Sequence, residues 1–149
     1  MIYVADSVDR AVHVFDPEKK TYRKIGDPQT LKLPIDVAVG PRGEIFLSDA
    51  ELALVLKYDS AGNPAGELGR GGELKRPAGV AYNRVNGWLY VVDVLQHAVL
   101  AYDPGGTLKT RFGSRGVGNG EFNFPTNITV DARGRLYVTD SLNFRVQIF

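Results

Sequence analysis

Leu89-Tyr90-Val91-Val92-Asp93 is the third form of a string that first stands as Ile2-Tyr3-Val4-Ala5-Asp6, returns as Ile45-Phe46-Leu47-Ser48-Asp49 and recurs as Leu136-Tyr137-Val138-Thr139-Asp140. Its aspartates are 43, 44 and 47 residues apart. Nine residues after each aspartate comes an aromatic: Phe15, Tyr58, Tyr102 and Phe149. Two further markers keep the same period. Pro34, Pro77 and Pro125 each open a short apolar run, and Gly26, Gly69 and Gly113 precede them. A repeat of this kind decides the architecture before any local detail does.

Within each period the sequence predicts four short strands rich in Val, Ile, Leu and Tyr. Turn clusters such as Pro41-Arg42-Gly43, Ala61-Gly62-Asn63 and Pro104-Gly105-Gly106 separate them. Nothing reads as a helix. A period in the forties holding four strands fits the blade of an all-β propeller, whereas leucine-rich repeats are shorter and helical repeats show a 3.6-residue pattern. With the strands of a blade lettered a to d from the channel outward, residues 1–33 are a partial blade, b-c-d. Residues 34–76 and 77–124 are whole blades, and residues 125–149 are a partial blade, a-b-c. The chain is therefore about three and a half blades, and closure takes about four to eight. The expectation is a piece of a longer propeller, or a half-ring that self-associates to cover its open edges.

The last unit carries the most specific resemblance. Phe112-Gly113-Ser114-Arg115-Gly116-Val117-Gly118-Asn119-Gly120-Glu121-Phe122-Asn123-Phe124-Pro125, then Leu136 to Asp140 and Asn143-Phe144-Arg145-Val146-Gln147-Ile148-Phe149, closely resembles the NHL repeat. The likeness is near complete over residues 108–149 and looser before them, where the glycine-rich linker shortens, and no Asn-His-Leu tripeptide is present. With a single tryptophan, Trp88, the repeated Trp-Asp of WD propellers is missing. The NHL resemblance extends to the six-bladed TolB-like and gluconolactonase-like propellers. It implies partner binding at a loop face and, in bacteria, a location outside the cytoplasm. No signal peptide stands in this chain.

Composition bounds the function classes. An apolar fraction of 44% supports a packed core, and 18 basic against 17 acidic residues leave a net charge of +1, which offers nucleic acid or membrane no whole-molecule attraction. There is no cysteine, so thiolate metal sites and disulfides are excluded. No apolar run approaches the roughly 18 residues of a membrane span.

Meander topology places the d-to-a and b-to-c loops on one face. The candidate binding residues there are Arg10, Arg70, Lys75, Arg76, His97, Arg115 and Phe144. Protein or peptide is the expected ligand class, and RNA ranks below it because Asp9, Asp27, Glu51, Glu73 and Glu121 dilute the basic groups. The repeated aspartates 6, 49, 93 and 140 are expected to fix turns, and no catalytic residue is assigned. No cofactor is expected. The alternative, implied by the lactonase-like propellers, is a divalent cation such as Ca2+ at the channel mouth. There Asp36 and Asn127 would be ligands, with Gly79 leaving a gap between them. With only His13 and His97, the several-histidine zinc site of the peptide-amidating lyases is missing. The run Gly116-Val117-Gly118-Asn119-Gly120 lacks the order of a phosphate cradle and is expected to be a flexible interblade loop. The predicted function is a non-enzymatic binding, scaffold or sensor propeller, with a metal-dependent lactonase-type hydrolase, completed by further blades or a second subunit, as the alternative.

Overall fold

A computed structural model describes residues 1–149. The chain forms four antiparallel sheets, each a meander in chain order. The first holds β1 (Ile2–Asp6), β2 (Ala11–Asp16) and β3 (Thr21–Ile25). The second holds β4 (Pro34–Val39), β5 (Ile45–Asp49), β6 (Leu54–Tyr58) and β7 (Pro64–Leu68). The third holds β8 (Pro77–Tyr82), β9 (Leu89–Asp93), β10 (Ala98–Tyr102) and β11 (Leu108–Phe112). The fourth holds β12 (Pro125–Val130), β13 (Leu136–Asp140) and β14 (Arg145–Ile148). The four sheets hold three, four, four and three strands, and the chain is three and a half propeller blades. Helix is confined to two 3-10 turns, Arg70–Gly72 and Ser141–Asn143, which the sequence reading did not anticipate.

Alternation along each strand sends one set of apolar side chains to each neighbouring blade. Val12, Val14 and Ile25 of the first sheet meet Ile45, Leu47 and Tyr58 of the second. Phe46, Val55 and Leu68 meet Val80, Leu89, Val91, Leu100 and Tyr102 of the third, whose other face packs Tyr90, Val92 and Val99 on Ile128, Leu136 and Val138. Each fully buried side chain of this size contributes about 1.5–3 kcal/mol.

The interblade seams are plugged at their ends by Leu31, Leu74 and Phe122, all fully buried. This explains the repeated glycine. Gly26, Gly69 and Gly113 have φ of 77°, 89° and 93°, and a Cβ on any of them would run into the plug side chain of its own seam. The outer faces of the first and fourth sheets have no such cover: Ile2, Val4 and Phe15 are exposed, as are Val146 and Ile148, whereas Ile45, Leu47 and Tyr58, which repeat Ile2, Val4 and Phe15, are buried. No helix of the chain is long and apolar enough to cross a membrane.

Candidate binding surface

Each repeated aspartate stands at the end of a b strand and holds the turn that follows. The Asp6 carboxylate accepts the Val8 and Asp9 amides, both at 2.8 Å. Asp49, fully buried, accepts those of Glu51 and Leu52 in its own turn and of Lys32 and Leu33 in the preceding d-to-a loop. Asp93, also fully buried, does the same with Gln96 on one side and Lys75 and Arg76 on the other. Asp140 takes the Asn123 amide at 2.7 Å and the side chains of Asn143, Arg145 and Gln147. Burial alone would raise the Asp140 carboxyl. The Asn123, Asn143 and Arg145 donors outweigh it and hold the group below the usual carboxylate range. The predicted turn-fixing role is therefore what these aspartates perform, and each of the last three also welds the two loop classes into one face.

Four residues past each aspartate the backbone turns left-handed. Arg10, Ala53, His97 and Phe144 have φ of 51°, 56°, 50° and 52°. Three of the seven predicted surface residues are thus one repeated position. Phe144 is 92% exposed. His97 is half-buried; its Nδ1 accepts the Phe124 amide at 3.2 Å and its ring meets Phe124 edge to face. It couples two loops as well as lining the face.

The other four lie in the d-to-a loops. Lys75, Arg76 and Arg115 are exposed, and Arg70 pairs with Glu67. The glycine run at 116–120 corrects the sequence reading of a flexible loop. Gly118 N–H donates to the Glu121 carboxylate, Arg145 and Asn143 donate to the Gly118 and Gly116 carbonyls, and Gly120 N–H donates to Gln147. The NHL-like side chains of the last unit are the clamps. A Cβ at 116 would meet the Glu121 carboxylate, which would have to move aside.

At the channel mouth Asp36, Gly79 and Asn127 line one shallow concavity with Ile35 and Thr126. The structure brings the two candidate ligands together, and each of the oxygens they use accepts a backbone amide. Asp36 Oδ1 accepts the Val37 amide and Oδ2 that of Val80, both at 2.9 Å, and Asn127 Oδ1 accepts the Ile128 amide at 2.7 Å. Burial pushes the Asp36 carboxyl up, against the pull of those two amides. A hard cation needs about six oxygens, so these two residues do not make a cation site by themselves.

A second concavity, of about 290 Å³, lies between the second and third blades among the a-to-b and c-to-d loops. It faces away from the predicted surface, and its walls include Phe46, Lys57, Gly66 and Tyr82. Aligning the repeats in register would have exposed the signal: Gly66 is a glycine where its counterparts are Arg23 and Thr110.

Comparison with known proteins agrees with the architecture. Residues 122–149 match the NHL repeat. Among solved structures, the fold is similar to virginiamycin B lyase from Staphylococcus aureus, with a TM-score of 0.74 and 13% identity over 99% of this chain and 50% of that one. A chain of a nidogen/laminin complex gives 0.74 and 20% identity over 93% and 50%. The calcium-binding protein regucalcin from Agrobacterium tumefaciens gives 0.64 and 17% over 87% and 43%. The chain spans about half the length of these structures or less.

Proposed function

We propose that this chain, whose residues 122–149 are an NHL repeat and whose whole length folds as propeller blades, is a binding propeller that recognises a protein or peptide through its d-to-a and b-to-c loop face. The repeated left-handed turn position carries this reading. A non-glycine residue held there costs of order 1–3 kcal/mol, and glycine would make the same turn without that cost. Four equivalent backbones instead present Arg10, Ala53, His97 and Phe144. A constant frame with changing side chains is the arrangement of a recognition surface.

Phe144→Gly tests this in one step, because it removes the exposed ring and relieves the backbone. The melting temperature should hold or rise, while enrichment of a phage-displayed peptide library on the immobilised chain should fall by about tenfold, as for loss of an aromatic anchor. Unchanged enrichment with Phe144→Gly combined with Arg76→Ala and Arg115→Ala would remove the proposal.

The uncovered outer faces of the first and fourth blades support a second copy of the chain as a partner. Two copies bring together eight sheets, within the range that closes. Sedimentation should give twice the 16.3 kDa of one chain. A single species at the monomer mass would rule this association out.

A further inference from the structure

The chain contains an internal template for what the cavity between its second and third blades would hold. At the preceding seam, between the first and second blades, Arg23 reaches across and donates from Nη1 to the Ala61 carbonyl at 2.6 Å and from Nη2 to the Ser60 carbonyl at 2.9 Å. In the d strands Arg23 pairs opposite Val14, and Gly66 pairs opposite Lys57 at the equivalent register. Gly66 therefore stands where the next arginine would be, and nothing lies within 4 Å of a Cβ built on it.

The receiving turns match as closely. Residues 59–63 close with Asp59 N–H to the Asn63 carbonyl, Gly62 N–H to the Asp59 carbonyl, and the Asp59 carboxylate on the Asn63 amide. Residues 103–107 repeat all three bonds with Asp103, Gly106 and Thr107. Gly62 lies against Ile25 and Gly106 against Leu68, the same position of successive blades. Pro104 and Gly105 thus carry the counterparts of the Ser60 and Ala61 carbonyls, but no group of the protein donates to either. The turn thus repeats the one that receives Arg23, and the chain brings no guanidinium to it.

Two features of the cavity describe the rest of the occupant. Tyr82, half-buried and backed by Phe46 at 5.8 Å and 16°, gives the cavity an aromatic wall, a surface that suits a planar cation. Lys57, with Nζ 5.7 Å above the Phe46 ring, lines the same space and pairs with no carboxylate of the chain, whereas the three carboxylates of the lining, Glu44, Glu67 and Asp103, are paired with Arg42, Arg70 and Lys109. A ligand with a guanidinium at one end and a carboxylate at the other answers both. We infer that the cavity between the second and third blades binds an arginine bearing a free carboxylate, its guanidinium forked onto the Pro104 and Gly105 carbonyls and its carboxylate against Lys57. At about 290 Å³ the cavity is at the small end of ligand sites. It lies on the face opposite the NHL loop surface, so this inference and the proposed function can fail independently.

The source of such a group, free amino acid or peptide C-terminus, is separated by the probes. Calorimetric titration of the whole chain with L-arginine and with the tripeptide Gly-Gly-Arg should show one site per chain for at least one of them, and the tighter of the two names the source. Agmatine, which lacks the carboxylate, should bind about fivefold more weakly than arginine, and L-lysine, which lacks the planar fork, more weakly still. Lys57→Met should bring arginine down to the affinity of agmatine. Gly66→Arg places the first blade's own residue in the cavity and should abolish binding, but its positive φ strains any side chain, so Lys57→Met is the variant that decides if that protein fails to fold. No heat with either arginine probe up to about 10 mM, or an arginine affinity unchanged by Lys57→Met, would overturn the assignment.

Discussion

Alanine in place of Gly79 is expected to destabilise the chain by about 2–3 kcal/mol, the cost of forcing a methyl group into a space already occupied. Its Cβ would stand 2.6 Å from Asn127 Cα and 2.8 Å from Ile128 N. Both are backbone atoms of an inner strand whose other side is paired with β13, so neither can rotate away. The reason for so close an approach lies in the inner strands themselves. Each carries a register shift near its start, between Pro34 and Asp36, Pro77 and Val80, and Pro125 and Asn127. At each shift one amide points away from the ladder and needs an acceptor. Asp36 takes its own neighbour Val37, and Asn127 takes Ile128. Gly79 has no side chain to offer Val80, and the second oxygen of Asp36 crosses from the neighbouring blade to do so. The gap between the two candidate ligands is thus a packing requirement. Urea denaturation of Gly79→Ala measures the cost, and a loss below about 0.5 kcal/mol would show that the blades separate freely. Calcium at millimolar concentration should leave the melting temperature of the unaltered chain where it is, since a ligand of the folded state must raise it. A clear rise would restore a metal at the channel mouth.

The blades were legible because their markers are side chains with one job each. Tyr58 and Tyr102, the repeated aromatics of the two middle blades, are buried in the seams. Phe149, at the same repeat position, packs on Phe112 and Phe122 in the seam between the third and fourth blades, and Phe15, on the first blade, is 41% exposed. The aspartates were legible as turn residues because a short carboxylate before a tight turn has nearby amides to accept. Their reach to the preceding loop was not, since Lys75 and Arg76 meet Asp93 across 18 and 17 residues of chain. The glycine run misled for the opposite reason. Glycines read locally as freedom, and only the fold shows Glu121, Asn143, Arg145 and Gln147 converging on them. The cavity beside Gly66 was hidden further, because its signal is a side chain missing relative to a sister repeat.

The repeated aspartates give the sharpest separation between a structural ring and a catalytic one, and Asp93 is the member to remove. Asp93→Ala is expected to cost about 3–5 kcal/mol, because its buried carboxylate collects several donors at once and their loss strands amides in two loops. Oδ2 accepts Lys75 at 2.6 Å, Arg76 at 3.0 Å and the Gln96 side chain at 3.1 Å, while Oδ1 accepts the Gln96 amide at 3.0 Å. Asparagine does not rescue this site. It keeps one acceptor oxygen and turns an NH2 group toward donors that need an acceptor, so Asp93→Asn should lose most of the same stability. Asp6 occupies the equivalent position but is partly exposed and accepts only the Val8 and Asp9 amides of its own turn. Asp6→Ala should therefore be much milder than Asp93→Ala, although both alter the same repeat residue. A catalytic ring predicts the reverse for the amide variant, a fold preserved with activity lost, since asparagine is nearly isosteric. Chemical denaturation of Asp6→Ala, Asp93→Ala and Asp93→Asn decides between them. If Asp93→Asn melts with the unaltered chain, the carboxylate is not holding the loops together, and a chemical role for the repeated acid becomes the better account.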